Sequence, residues 1–291
     1  MVQDTFIIRT KLIPPRLSPR TLARPRLTER LLQARDHRLT LLQAGTGYGK
    51  STALAALTQT DQPLIWYQLH GEDSDPFVFL LHLLHGFMER GVTSSHTPLA
   101  LFEAWERNRR GAGWTAVLDA LSNDLAQSLN GPLLLIIDDA HRLQQTTEPL
   151  RMLDHFIGRA PAHLHTILAT RTPLKLPTLV RWRVTGDLLE IGQAELAFTA
   201  PEIDTLFRQH YNHALTLEQA AMLVNRVEGW PIALQLIWQH LQRDGGASLA
   251  QALGRITGSA SDLFTYLAQE VLAQQPADVR HFLTTTAVLR Q

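Results

Sequence analysis

The chain contains no cysteine. Disulfides, thiolate zinc sites and cysteine nucleophiles are therefore excluded. An excess of charge of either sign is also lacking, since Lys plus Arg and Asp plus Glu both number 27. No strong field draws such a chain to nucleic acid or to an anionic membrane surface, and any such binding would have to be local or lie elsewhere. Long apolar runs are missing as well: none approaches the roughly 20 residues that cross a bilayer, and residues 1–9 are too polar for the apolar core of a leader. The expectation is a soluble, cytoplasmic protein that uses this chain to bind neither membrane nor DNA. At 291 residues, with 45% hydrophobic content, it is long enough for about two compact units with buried cores.

Lysine is scarce, occurring only at Lys11, Lys50 and Lys175, with arginine elsewhere. Lys50 lies in the stretch Ala44, Gly45, Thr46, Gly47, Tyr48, Gly49, Lys50, Ser51, Thr52, between the apolar run 39–43 and the alanine-rich helical run 53–57. Strand, glycine loop and helix follow in the order a phosphate-binding loop of pattern G-x-x-x-x-G-K-[ST] needs. Its glycines let successive backbone N–H groups turn inward around a phosphate at the positive end of the helix. Gly45, Gly47, Tyr48, Gly49, Lys50, Ser51 and Thr52 are accordingly the candidate nucleotide-binding residues. Lys50 would reach the β- and γ-phosphates as a catalytic cation, and Ser51 would ligate Mg²⁺. Ala44 occupies the position of the first glycine, so the loop must enter through a residue that prefers negative φ.

Before this loop, Pro14, Pro15, Pro19 and Pro25 alternate with Arg16, Arg20, Arg24 and Arg26, which predicts an extended arm and then a short helix over 27–34. These arginines, Arg26 among them, either contact nucleotide or form a solvated basic leader. After the loop, residues 64–69 read as a buried strand, and a helix is expected from Asp75 and Pro76, with His82 and His85 on partly exposed faces. Residues 92–113 read as a polar loop with a short helix, and 114–129 as an amphipathic helix. The unbroken apolar run 133–137 ends in Asp138 and Asp139. A strand buried on both faces and ending in carboxylates would place Asp138 beside the Mg²⁺, with Asp139 orienting or deprotonating the attacking water. The plainer alternative is that both aspartates cap the next helix. Residues 164–170 form another strand, and Arg171 at its end is placed to read a γ-phosphate unless it is only a loop arginine. An irregular connector and a short strand over 188–191 complete a three-layer α/β unit with a mainly parallel sheet, assigned to residues 1–193.

From Thr199 the chain reads helical, with Pro201 and Glu202 at a helix start, a helix over 217–227 stopped at Gly229, and another begun by Pro231. Residues 194–246 are expected to be a helical domain. The chain stops at Gln291 directly after an apolar run, which reads as a truncated end.

These pieces together resemble the nucleotide-binding module of STAND signal-transduction ATPases, in particular the MalT-like branch of LuxR-family regulators. The resemblance rests on residues 44–52, on Trp66, Tyr67 and Leu69 with Phe77, on 135–139 with His141 and Leu143, on Arg171, and on Gly229, Trp230, Pro231, Ala233 and Leu234. It implies that Pro231 belongs to a G-x-P motif whose proline lies against the nucleotide base, and that 247–291 is a partial winged-helix domain. It further implies a switch that holds ADP at rest and ATP when active, with adenine nucleotide and Mg²⁺ as ligands, self-association in the ATP state and slow ATP hydrolysis as reset. Read from the residues alone, Gly229 to Pro231 is a helix stop followed by a helix start.

Other P-loop readings remain. A small-molecule kinase needs an arginine-bearing lid, and the helical half has no dense arginine cluster. A GTPase needs an N-K-x-D tetrapeptide, absent around all three lysines. An AAA-type remodelling ATPase is the nearest rival.

Overall fold

The computed structural model describes residues 7–108, 113–243, 279–281 and 285. The chain divides into two compact units, Met1–Gly45 with Lys50–Leu196 and Thr46–Gly49 with Ala197–Gln291. In the first unit the elements are α1 (Pro25–Leu32), β1 (Leu39–Gln43), α2 (Lys50–Ala55), β2 (Leu64–Gln68), α3 (Pro76–Glu89), α4 (Thr97–Asn108), α5 (Trp114–Ser128), β3 (Leu133–Asp138), α6 (Thr147–Arg159), β4 (Leu164–Thr170), α7 (Leu179–Thr185), β5 (Leu188–Ile191) and α8 (Gln193–Leu196). The strands form one sheet in the order β2-β3-β4-β1-β5, and every pairing is parallel. Parallel neighbours need crossovers, which the helices supply. Every residue of β3 and β4 is buried, as expected of strands covered on both faces. The expected α/β class with a parallel sheet is the one observed.

Several local expectations change. The proline-arginine arm carries no helix or strand over 13–24, as expected, and a 3-10 turn, Arg9–Leu12, leads into it. Pro25 begins α1 two residues ahead of the expected start because its fixed φ and missing N–H suit a first helical position. His82 is buried, not partly exposed. Its Nδ1 meets Val78 O at 2.8 Å and its Nε2 accepts the Ile8 N–H at 3.1 Å, so the ring satisfies both nitrogens inside the core. Residues 97–108 make a full helix rather than a short one, because Phe102 and Trp105 pack with Phe77 in an aromatic cluster.

The arm is fastened by a buried ion pair. Lys11 Nζ donates to both oxygens of Asp73, at 2.9 and 2.8 Å, and lies 3.0 Å from Glu72 Oε1. Asp73 also accepts the Tyr67 hydroxyl at 2.7 Å and the His70 N–H at 2.6 Å. The Lys11 and Asp73 side chains are both wholly buried. The short turn Gly71–Ser74 after β2 is thereby tied to the N-terminal segment.

In the second unit, α9 (Ala200–His210) and α10 (Leu217–Val227) begin with reciprocal caps, Thr199 with Glu202 and Thr216 with Gln219. α11 (Pro231–Arg243) starts on proline. Gly229 has φ +66°, and a Cβ there would lie 2.4 Å from the Phe198 carbonyl oxygen. Phe198 N–H donates to Gly229 O at 2.8 Å, so two backbones meet where only glycine fits. The winged-helix expectation for 247–291 falls almost wholly outside the described residues.

Candidate functional site

β1 runs directly into the glycine loop. The Ala44 N–H donates to Thr170 O at 3.2 Å, continuing the ladder between β1 and β4 for one more residue. That explains why alanine serves at this position: the left-handed backbone falls on Gly47 (φ 78°) and Gly49 (φ 74°), and Ala44 needs none of it. Lys50 opens α2 and is buried. Its ammonium donates to the carbonyls of Ala44 at 2.8 Å and Gly45 at 3.0 Å, folding the side chain back along the loop. Burial lowers the Lys50 pKa and the Arg171 cation adds to this, while Asp139 and Asp138 act the other way.

β3 delivers the two carboxylates. Asp138 closes the strand and is fully buried. Its Oδ1 accepts the Asp139 N–H at 2.9 Å, and its Oδ2 has no hydrogen-bond partner. Burial raises the Asp138 pKa, against the stabilising effect of the Ser51 hydroxyl on the charged form. A buried carboxylate oxygen without a donor, beside the hydroxyl that follows the loop lysine, fits a cation ligand. Asp139 adopts left-handed backbone, φ 56° and ψ 37°, and its side chain makes no cap bond. Such strain in a non-glycine residue concentrates where geometry is over-determined.

Asp139 is held from three sides. Gln68 Nε2, from the end of β2, donates to its Oδ2 at 2.9 Å. Arg171 Nε lies 3.6 Å and His141 Nδ1 3.8 Å from its Oδ1. Lys50, Ser51, Asp138, Asp139 and Arg171 therefore converge at the carboxyl ends of β1, β3 and β4. A pocket of about 370 Å³ opens beside them, lined by Gln43, Ala44, Gly45, Arg171, Gly192 and Gln193 among others.

A family model for an AAA domain matches residues 33–175. The chain is 33% identical over 290 residues to the HTH-type transcriptional regulator MalT of Yersinia enterocolitica and to that of Yersinia pestis, an alignment covering 98% of this chain and 31% of each relative. This chain carries an AAA-type P-loop domain and is homologous to the MalT regulators over nearly its whole length. It spans about a third of the length of these curated relatives. Among solved structures, the Walker-type ATPase PABY2304 of Pyrococcus abyssi superposes with a TM-score of 0.53 and 16% identity, over 88% of this chain and 77% of that one, a likeness of fold alone.

Within this MalT-like P-loop chain, the remaining candidate residues fall in other places. Thr52 is exposed on α2. Arg26 donates to Glu195 O at 3.1 Å and Arg24 to Leu196 O at 2.8 Å, so these arm arginines grip the backbone of α8. Tyr48 is buried, and its ring stacks on Trp230 within the second unit. Pro231 belongs to that unit as the first residue of α11. No helix among the described residues is long and apolar enough to cross a membrane.

Two site residues escape a reading of the sequence. Gln68 shows itself only once β2 is paired with β3 in the register Gln68↔Asp138. His141 enters the sequence reading only through the resemblance, with no role of its own, yet burial pushes its pKa down to about 4 from the ordinary 6.5. Between those values the unfolded chain binds the proton and the folded one does not, so His141 stability is present at neutral pH and lost as pH falls from 6.5 toward 4. His82 and His85 are shifted in the same direction by burial. Urea midpoints measured from pH 7.5 to 4.5 should fall steeply, and His141→Asn should flatten the curve. A variant with the wild-type slope would show that His141 does not contribute to it.

Proposed function

We propose that this module is an adenine-nucleotide switch, with ADP bound at rest and ATP bound when active, reset by slow hydrolysis. The observation that supports this most directly is the convergence of Lys50, Asp138, Asp139 and Arg171 at the carboxyl edge of one parallel sheet. Lys50 would leave the Ala44 and Gly45 carbonyls for the β- and γ-phosphates, and Gly45, Gly47 and Gly49 would offer backbone N–H groups. Ser51 and Asp138 would hold Mg²⁺, whose chemistry there is to neutralise charge on the phosphates. Asp139 would orient the attacking water, fixed by Gln68, and Arg171 would meet charge on the γ-phosphate. Pro231, by resemblance, would contact the base. Self-association in the ATP form, and a regulatory output through parts of a longer protein, follow from the same resemblance to regulators.

Size-exclusion chromatography of the purified chain, with mass spectrometry of the released nucleotide, tests the reading. ADP on a monomer supports it. Constitutive hexamers would favour an AAA-type remodelling motor instead.

The role of Asp139 has its own test. Asp139→Asn keeps the size and tolerates positive φ, but removes the base. Single-turnover hydrolysis should slow by about 10²- to 10⁴-fold with nucleotide affinity kept. An unchanged rate would move the water-orienting role to another group.

A further inference from the structure

The second unit contains a grip on the tip of the glycine loop. Trp230 Nε1 donates to the Thr46 carbonyl at 3.0 Å. The Trp230 ring stacks on Tyr48, with centroids 6.2 Å apart and planes at 26°. A Cβ built on Gly47 would lie 3.0 Å from Trp230 Nε1 and 2.8 Å from Ile232 Cγ2, so the indole lies directly against the loop backbone. Thr46–Gly49 and Trp230 belong to the same compact unit. The indole is itself well placed, because the Trp230 N–H donates to Val227 O at 2.8 Å and Pro231 fixes the backbone that follows.

The direction of this hydrogen bond matters. In a planar trans peptide the carbonyl of one residue and the N–H of the next point in opposite directions. Drawing the Thr46 carbonyl toward the indole therefore aims the Gly47 N–H away from it. In a phosphate-binding loop those N–H groups are the ligands. Indole nitrogen can only donate, so it cannot stabilise the flipped peptide in which an N–H would face it.

We propose that Trp230 is a positioning residue of the glycine loop, which presents the Gly47 N–H to the phosphates by holding the Thr46 carbonyl on the opposite side. The inference rests on the nucleotide reading above and adds a residue whose target is the diphosphate, not the base. Its consequence is that Trp230 governs affinity for the phosphate part alone.

Inorganic pyrophosphate is the probe that separates the two parts. Trp230→Phe keeps a ring against Tyr48 and removes the donor. Calorimetric titration of the 291-residue chain should show pyrophosphate and ADP weakened by the same factor, about three- to ten-fold for one hydrogen bond. The melting temperature of the unliganded protein should change little. Should the phenylalanine variant melt lower, 3-benzothienylalanine at position 230 keeps the bicyclic ring and replaces only the N–H by sulfur, and the same equal loss is expected. ADP weakened with pyrophosphate unchanged would place Trp230 at the base and overturn the proposal, as would wild-type affinity for both. If Lys50→Ala also binds pyrophosphate like wild type, the nucleotide reading itself fails, and this proposal with it.

Discussion

Lys50→Ala is expected to lower ADP and ATP affinity by about 10- to 100-fold, the range for losing hydrogen bonds to a charged group. The ammonium lies buried along its own loop, donating to the Ala44 and Gly45 carbonyls, and under the proposed function it would leave them for the β- and γ-phosphates. Burial and Arg171 both lower the Lys50 pKa, so the cation is held in a site that disfavours it until negative charge arrives. Phosphate oxygens would supply that charge. Lys50→Arg should not restore full affinity, because a planar guanidinium cannot fold back through the space a compact ammonium uses. Calorimetry with both nucleotides measures the effect. Wild-type affinity in the alanine variant would remove the phosphate-binding reading of the loop.

Lys11→Met is expected to be the most damaging single change away from the site, destabilising the first unit by about 3–5 kcal/mol. The reason is what remains behind. Asp73 would keep its wholly buried carboxylate, with the Tyr67 hydroxyl and the His70 N–H but no cation. An uncompensated buried charge costs more than the pair contributes, so Lys11→Met combined with Asp73→Asn should recover much of the loss. Urea unfolding followed by circular dichroism gives the comparison. A loss below about 1 kcal/mol in the single variant would mean that the arm separates from the turn at little cost.

The sheet was legible because its strands are runs of large apolar residues too short for helices and bounded by glycine, proline or acids. Residues 133–138 show this most clearly, being apolar up to the carboxylate that ends them. The glycine loop was legible for a different reason, since backbone freedom leaves its mark directly in composition at Gly47 and Gly49. The Ala44 departure looked like a difficulty only because a pattern does not say which glycine needs positive φ. Gln68 was not legible: an amide at a strand end has no signature until strand register places it opposite Asp138. His82 was misjudged because helical periodicity shows which face turns inward but not whether a partner awaits, and the Ile8 N–H comes from 74 residues away in sequence. Lys11 escaped in the same manner, its carboxylate partner lying 62 residues on.

The tripeptide Gly229, Trp230, Pro231 joins three requirements of different origin. Glycine is demanded by the backbone of Phe198, which leaves no space for a side chain, and proline suits the first position of α11. Neither demand involves a ligand. A descendant of this chain that had lost its nucleotide would still be selected to retain both residues, simply to keep its second unit folded. The two outer letters of the motif are thus weak witnesses to ancestry of function, and a genome reader who counts them as proof of nucleotide binding would admit inactive copies. Under the roles proposed above, Lys50 and the indole nitrogen between those letters are the groups whose retention would speak for the phosphates.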